Sequence, residues 1–264
     1  MTRKVVFVTG GSSGIGKAAA EALRDMGCTV YEGSRRESSL PGIVHLTLDV
    51  TEEASAVHAV REVLAREGNI DILINCAGSG ISGAVEFTEA DAVRRQMDVN
   101  FMGTVNVTKA VLPLMRTAGS GRIVNISSAA AEFPIPFQAY YSASKAAVNA
   151  YSMALANEVR PFGITVTAVQ PGDIRTGFTA SRAKSVTGDD VYNGRISRSI
   201  AVMERDEQNG MDPALAGKWI GKIALRKRGK PICTLGFSYQ CLCFLRKILP
   251  AAVVNRLIGL IYAK

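Results

Sequence analysis

A tyrosine and a lysine four positions apart are candidates for proton transfer to a substrate. Tyr141 and Lys145 belong to a helical pattern over residues 139–160, and residues i and i+4 lie on the same face of a helix. A free tyrosine titrates near pH ~10, so proton exchange near neutrality needs a neighbouring positive charge. Lys145 would supply that charge. On its own, however, such a pair is equally typical of an ordinary helix surface.

A glycine-rich turn near the N-terminus is a candidate dinucleotide site. Residues 9–16 have the sequence TGGSSGIG and lie between a strand pattern and a helical pattern. Glycines let a pyrophosphate approach the backbone, and a helix N-terminus offers unpaired N–H groups with a partial positive charge. Glycine turns also serve as simple connections, but this context favours dinucleotide binding. The predicted contacts are Gly10, Ser12, Ser13, Gly14, Ile15 and Gly16.

The end of the second predicted strand indicates which dinucleotide is bound. An acidic residue at this place holds a ribose 2′-hydroxyl, whereas arginine accommodates a 2′-phosphate. The chain has Ser34, Arg35 and Arg36 there, 18 to 20 residues after Gly16, which favours NADP(H). The alternative is an ordinary solvated arginine pair. Glu32 comes two positions earlier, and strand alternation predicts that it points elsewhere.

Three further motifs complete the pattern. They are Asn75-Cys76-Ala77-Gly78 after the fourth predicted strand, Asn100 in a helix, and Ser127-Ser128 after the fifth strand. Together with the glycine turn and the Tyr141/Lys145 pair, they resemble the short-chain dehydrogenase/reductase family, in its branch with a single Rossmann domain. The resemblance spans residues 4 to 235. The chain departs from the family pattern at Cys76, where Asn is commoner.

The resemblance implies roles for individual residues. The family's catalytic tetrad corresponds to Asn100, Ser128, Tyr141 and Lys145. The family's usual spacing of thirteen residues from Ser to Tyr selects Ser128 and Tyr141 over the serine and the tyrosine that directly precede them. Both would hold a substrate carbonyl, which Tyr141 protonates while NADPH delivers a hydride. Asn100 would hold a water that links Lys145 to solvent. Further implied cofactor contacts are Asp49, Val50, Asn75, Ala77, Gly78, Tyr141, Lys145, Pro171, Gly172, Ile174 and Thr176.

The elements that must position these residues alternate between short β-branched runs and longer helical patterns, which is typical of βαβ units. The predicted strands are 4–9, 29–33, 43–48, 70–75, 122–126, 165–169 and 231–235. The clearest predicted helices are 14–26, 52–66, 139–160 and 213–225. We therefore predict a doubly wound α/β Rossmann fold with a seven-stranded parallel sheet covered by helices on both faces. Residues 1–236 would form the catalytic domain, with 175–211 as a mobile substrate lid, and 237–264 a helical extension.

Composition places the chain among globular proteins. Its 264 residues are 47% hydrophobic and 20% charged, which suits one large core. The chain has neither an uncharged apolar run of membrane-spanning length nor a signal peptide before the first strand, so we expect a cytoplasmic protein. With 5 scattered cysteines and 2 histidines, we expect neither a disulfide framework nor a metal site. No nucleic-acid partner is expected.

The positive charge is concentrated near the C-terminus. The net charge is +8, and residues 213–264 contain ten Lys or Arg and no Asp or Glu, so residues 1–212 carry −2. Two apolar stripes predict a pair of amphipathic helices divided at Pro250. The stripes are Leu242, Leu245 and Leu249, then Val253, Leu257 and Leu260. These helices would lie in a membrane interface, or pack on the body of the protein or across a dimer. Every predicted tetrad and cofactor residue precedes Thr179, so we expect the site to form without them.

The substrate is expected to be a lipophilic alcohol or carbonyl compound. Residues 133–137, with the sequence FPIPF, would line an apolar pocket beside Ser128, although such residues are also typical of a core. We predict an NADP(H)-dependent oxidoreductase similar to hydroxysteroid dehydrogenases, which works as a homo-oligomer (a dimer or tetramer). The alternatives are a reductase of 3-oxoacyl groups on acyl carrier protein and a non-catalytic NADP(H) sensor. The intact Ser128, Tyr141 and Lys145 argue against a sensor.

Overall fold

The computed structural model describes residues 3–226 and 228–263. In chain order the strands are β1 (Val5–Thr9), β2 (Thr29–Ser34), β3 (Ile43–Thr47), β4 (Ile72–Asn75), β5 (Ile81–Ser82), β6 (Gly121–Ile126), β7 (Ile164–Gln170), β8 (Ala183–Lys184) and β9 (Ile232–Thr234). The α-helices are α1 (Gly14–Asp25), α2 (Glu53–Glu67), α3 (Ala90–Met97), α4 (Gly103–Ala118), α5 (Ala139–Glu158), α6 (Phe178–Ser181), α7 (Arg195–Gln208), α8 (Pro213–Ala224), α9 (Phe237–Ile248) and α10 (Ala251–Tyr262).

The central sheet has seven strands in the order β3-β2-β1-β4-β6-β7-β9, and every neighbouring pair is parallel. This confirms the predicted doubly wound Rossmann fold, and the strand ends lie within two residues of the prediction. The chain moves from β1 toward one edge of the sheet and then from β4 toward the other. Ligands of such sheets bind at this switch point, beyond the carboxyl ends of the strands.

The core lies on both faces of the sheet because successive strand residues point in opposite directions. On one face, Val5 and Phe7 of β1 belong to a cluster with α2 and α4, which includes Val60 and Val111. On the other face, Val6 and Val8 belong to a cluster with α1 and α8. A strand buried on both faces requires a continuous apolar run, and this is why β1 has the sequence VVFVT.

Two helices, α9 and α10, extend the chain beyond β9, and Pro250 lies between them. The predicted C-terminal helical extension is therefore confirmed. Throughout the two described stretches of chain, no helix is both long enough and apolar enough to cross a membrane.

The contact between α1 and α8 generates a prediction about stability. A Cβ atom added at Gly217 of α8 would lie 2.3 Å from the backbone oxygen of Ala18 in α1, whereas one added at Gly259 of α10 would meet nothing within 4 Å. We expect Gly217→Ala to lower the free energy of unfolding by about 1–3 kcal/mol through overpacking. As the matched control, Gly259→Ala is expected to raise it by up to about 1 kcal/mol, because alanine favours helix. Urea unfolding of both variants measures the difference, and equal effects would contradict the packing argument.

Candidate active site

At the switch point, hydrogen bonds join the end of β1 directly to the segment after β4. The Thr9 hydroxyl oxygen accepts hydrogen bonds from the backbone N–H groups of Cys76 and Ala77, both at 3.1 Å. Gly10 follows with a φ of +67°, and a Cβ atom there would lie 2.8 Å from the Ala77 Cα. Glycine is therefore required where these two segments approach each other.

The glycine turn also fixes the start of α1. A Cβ atom at Gly16 would lie 2.3 Å from the backbone oxygen of Gly10, so only glycine allows the helix to begin this close to β1. The N-cap residue Ser13 makes no side-chain capping bond, and the first turn of α1 holds no acidic residue. Its N–H groups therefore remain available to an anion. All six predicted contacts from Gly10 to Gly16 line one cavity of about 1370 Å³.

The arginines after β2 line the same cavity. Arg35 and Arg36 are exposed there beside Ser34, whose hydroxyl donates to the Arg36 backbone oxygen at 2.9 Å. Glu32 does not line the cavity, as expected, but strand alternation is the wrong reason. Its carboxylate lies 3.5 Å from the Ser34 hydroxyl, on the same side of β2, and it is shielded by the close packing of Gly11 against its side chain.

The buried Glu32 carboxylate belongs to a network that sequence reasoning missed. Its Oε1 atom accepts a hydrogen bond from Ser38, three residues after Arg35, and lies 2.5 Å from the His45 Nδ1 atom on β3. The hydrogen bond from Ser38 fixes the loop that carries Arg35 and Arg36, which we call the arginine loop, to the sheet. No sequence pattern predicts the contact with His45, because Glu32 and His45 are brought together only by the pairing of β2 with β3.

The predicted adenine contacts, Asp49 and Val50, line the cavity beyond β3. The Asp49 carboxylate is held by its own turn, because it accepts from the backbone N–H and the hydroxyl of Thr51 at 3.0 and 2.8 Å. The Val50 backbone oxygen accepts from the Asn106 side chain at 3.0 Å. Both residues therefore have fixed positions at this wall.

The predicted cofactor contact Asn75 does not itself line the cavity. It is 2% exposed, and its Nδ2 atom donates to the Thr108 hydroxyl at 3.0 Å and to the Asn125 Oδ1 atom at 2.9 Å. Its amide therefore joins β4 to β6 and α4 within the protein. Its neighbours Ala77 and Gly78 do line the cavity.

Asn100 is also absent from the cavity wall. It lies in a π-helical turn, Asp98–Met102, between α3 and α4, and such turns often mark functional sites. Its Oδ1 atom accepts from the Ser79 N–H at 2.8 Å, and its Nδ2 atom donates to the Ser79 backbone oxygen and the Ser144 hydroxyl at 3.0 Å each. The side chain thus positions the segment after β4 and has no free atom directed into the cavity.

The other three predicted tetrad residues lie together in the cavity, between the arginine loop and the apolar wall. Ser128 follows β6, and Tyr141 and Lys145 lie on the first turns of α5. The Ser128 hydroxyl accepts from the Ala130 N–H at 3.1 Å and lies close enough to the Tyr141 phenol to lower its pKa. The Lys145 Nζ atom lies 5.8 Å from the centre of the Tyr141 ring and donates to the Ile126 backbone oxygen at 2.9 Å. By contrast, Tyr140 donates to the Val85 backbone oxygen at 3.2 Å, away from this group.

Burial moves the two titrating groups in opposite directions. It raises the pKa of Tyr141 to about 12, and the nearby Ser128 hydroxyl only partly opposes this shift. It lowers the pKa of Lys145 to about 8, because a low-dielectric environment disfavours whichever form is charged. At neutral pH the phenol therefore keeps its proton, as a proton donor must, and most of the lysine is still an ammonium.

The segment after β7 forms the wall opposite α5, with Pro171, Gly172, Ile174 and Thr176 all lining the cavity. Gly172 is covered by the ring of Tyr239 from α9, since a Cβ atom there would lie 2.0 Å from that ring. The Tyr239 hydroxyl hydrogen-bonds the Asp173 carboxylate. Helix α9 therefore packs directly on this segment, and the expectation that the site forms without the C-terminal helices stays a prediction.

The remaining wall is largely apolar. Phe133 and Ile135 line the cavity as predicted, and Phe178 approaches the Tyr141 ring with 5.7 Å between ring centres. Phe137 instead packs against Tyr192, at 5.5 Å, in a separate small core. Residues of both C-terminal helices complete the wall; they are Leu242, Leu245, Leu249, Val254, Leu257, Ile258 and Ile261.

Two carboxylates, Asp173 and Glu207, and one cation, Arg246 of α9, interrupt this apolar wall. Asp173 and Glu207 both line the cavity, and burial raises the pKa of each. Glu207 pairs with the buried Arg182 and accepts from the Thr179 hydroxyl at 2.7 Å. Residues 175–211, the predicted lid, contain helices α6 and α7. The ion pair joins Arg182, which directly follows α6, to Glu207 of α7. Among the described residues, no group of three or more His, Cys, Asp or Glu could hold a metal ion.

The cavity fits an extended dinucleotide, since it runs from the arginine loop past the N-terminus of α1 to Tyr141, and that N-terminus has neither a side-chain cap nor an acidic residue in its first turn. The residues able to hold each part are the arginines for a 2′-phosphate, the glycine turn for a pyrophosphate, and the segment after β7 for a nicotinamide.

Comparisons with known proteins agree with this geometry. The profile of the short chain dehydrogenase family matches residues 4–187. The chain is 46% identical over 230 residues to a 3-ketodihydrosphingosine reductase of Bacteroides thetaiotaomicron, covering 86% of each chain. It is 33% identical over 265 residues to dehydrogenase/reductase SDR family member 7B of Danio rerio, covering 94% of this chain and 82% of that one.

A solved structure gives the same result. A short-chain dehydrogenase from Streptomyces avermitilis superposes with a TM-score of 0.84 at 32% identity, covering 97% of this chain and 95% of the other. The family profile spans more than half of the chain, and the tyrosine, lysine and serine of the family motif meet in one cavity. The chain therefore belongs to the short-chain dehydrogenase family.

Proposed function

We propose that this chain is an NADP(H)-dependent oxidoreductase that interconverts a lipophilic ketone and its alcohol. Family membership makes it an oxidoreductase of CH–OH or C=O groups that uses a nicotinamide cofactor. The observation that carries the finer proposal is the single continuous cavity. It joins two arginines at one end to Ser128, Tyr141 and Lys145 in the middle, and these to an apolar wall at the other end.

The chain's own residues would manage the oxygen and its proton. NADPH would supply the hydride. Ser128 and Tyr141 hold the substrate carbonyl oxygen, and Tyr141 releases its proton to that oxygen. Burial keeps the phenol protonated until then, since its pKa is about 12. The Lys145 ammonium would stabilise the phenolate that remains. Oxidation of the alcohol would reverse these proton movements.

The substrate we propose is a long-chain amino ketone of the 3-ketodihydrosphingosine type. The relative of that name supports this choice, because the two chains are 46% identical over most of their length. The apolar wall suits an alkyl chain. Asp173 places a carboxylate in the same cavity, where an amino group would offset the burial of a negative charge, whereas the Glu207 carboxylate is already paired with Arg182. A neutral steroid would gain no binding energy from either carboxylate.

This substrate class is tested by a panel with NADPH that contains a long-chain amino ketone, the same ketone without its amine, and a 3-oxoacyl thioester. We expect the amino ketone to have the highest kcat/KM. Asp173→Asn removes the charge and keeps an acceptor for Tyr239, so it should raise KM for the amino ketone about tenfold, the value of one charge-assisted bond. It should leave the amine-free ketone unchanged.

Asp206→Asn is the matched control for this experiment. Asp206 accepts a hydrogen bond from the Tyr262 hydroxyl at 3.3 Å and does not line the cavity, so its variant should not discriminate between the two ketones. A preference for the thioester would instead support a 3-oxoacyl reductase. Equal effects of Asp173→Asn on both ketones would refute an amine subsite.

Cofactor choice is tested at the arginine loop. Arg35 and Arg36 are the cations at the end of β2, and a 2′-phosphate gains strongly from charge-assisted bonds. We expect Arg35→Asp to lower the ratio of kcat/KM for NADPH over NADH by about ten- to a hundredfold, with a smaller effect of Arg36→Asp. Arg61→Asp, exposed on α2, is the charge-matched control. An unchanged ratio in the Arg35/Arg36 double variant would show that the cofactor assignment is wrong.

A further inference from the structure

The two C-terminal helices, α9 and α10, present two different apolar faces. We call residues 237–262 the C-terminal helix pair. Its inner face lines the cavity with residues such as Leu242, Leu245 and Leu257, and it is attached to the protein by the hydrogen bonds from Tyr239 to Asp173 and from Tyr262 to Asp206. The inner face therefore explains only half of the apolar surface of this segment.

The outer face of the helix pair is apolar and exposed. On α9, Phe237, Phe244 and Ile248 are 81%, 64% and 64% exposed, and on α10, Val253 and Leu260 are 44% and 50% exposed. None of these five residues lines the cavity. At about 100° per residue, each set falls within about 40° on its helix, as a stripe does. An exposed apolar stripe on both helices marks an interaction surface.

Positive charge borders this surface. At about 100° per residue, Lys247 lies about 60–100° from the stripe residues of α9 and Arg256 about 40–60° from those of α10, each on the side away from the cavity residues. No Asp or Glu occurs anywhere in residues 213–264. A basic helix with a separate apolar stripe has the composition of a helix that lies in the headgroup region of an anionic bilayer. A second copy of this chain fits less well, because it would bring the same cations together.

The same helices also contribute half-exposed apolar residues to the cavity wall. Leu242, Leu245, Leu257 and Ile261 line the cavity and are nevertheless 46%, 47%, 49% and 53% exposed. They form a partly open apolar rim beside the outer face. A ligand leaving a bilayer at this place would meet apolar surface from the outer face to Tyr141, whereas a second copy seated there would cover the rim.

We propose that the outer face of the C-terminal helix pair docks on an anionic lipid bilayer and that the cavity takes its substrate from the lipid through the adjacent rim. The docking is independent of the proposed function, while the loading of substrate rests on it.

Co-sedimentation of the full chain with phosphatidylcholine vesicles, with and without phosphatidylglycerol, tests the docking. We expect binding that requires phosphatidylglycerol and weakens in high salt. Lys247→Gln and Arg256→Gln should each weaken the partition about fivefold, and Phe244→Glu/Ile248→Glu should abolish it. Phe162→Glu, which changes an exposed aromatic residue outside the helix pair, is the matched control and should bind as wild type does. Thermal melts establish that each variant is folded.

Activity measurements separate the docking from the loading. The Phe244→Glu/Ile248→Glu variant should reduce a short water-soluble ketone at the wild-type rate and lose at least about tenfold of the rate on a long-chain ketone carried in vesicles. Vesicle binding equal to wild type in this variant would overturn the docking. The docking would also be overturned if the wild-type chain bound no vesicles and the variant had a lower mass in solution than wild type. The outer face would then be a subunit interface. Normal vesicle binding by a wild-type chain that reduces neither ketone would uphold the docking and refute the proposed function.

Discussion

The close approach of α1 to the end of β1 is the constraint on which the rest of the structure depends. A side chain at Gly16 would collide with the backbone oxygen of Gly10, which lies 2.3 Å from the place of its Cβ atom. Because both residues are glycine, the uncapped N-terminus of α1 lies at the switch point of the sheet. Gly217 allows α8 to pack equally closely on the other side of α1. The N–H groups that an anion would meet are thus held by backbone packing.

Burial determines the protonation of the second part of the site, the Tyr141/Lys145 pair. The same desolvation raises the pKa of Tyr141 to about 12 and lowers that of Lys145 to about 8. A proton donor and a cation are thereby kept side by side, and the Glu207 and Asp173 carboxylates also favour the protonated phenol. Each charge developed there is poorly solvated by water, so a substrate oxygen hydrogen-bonded by Ser128 and Tyr141 would gain more than it would in solution.

Local features of the sequence predict most of the fold and the centre of the site. The glycine turn, the Tyr141/Lys145 spacing and the seven strands depend on short-range geometry, which the order of residues determines directly. Contacts between distant segments are not visible in this way. The bond between Asp173 and Tyr239 joins residues 66 positions apart, so an apolar stripe in α9 predicts a covered face without identifying what covers it. Asn100 shows the same limit, because its amide is occupied by Ser79.

The most direct test of the account is the rate of NADPH oxidation with a long-chain ketone by wild-type protein, Tyr141→Phe and Tyr140→Phe, together with the affinity of each for NADPH. We expect Tyr141→Phe to lower kcat at least about a hundredfold, because it removes the transferable proton, and to bind NADPH as wild type does. Tyr140→Phe should retain activity, since its hydroxyl only contacts the Val85 backbone oxygen. Turnover by Tyr141→Phe close to that of wild type would contradict the account.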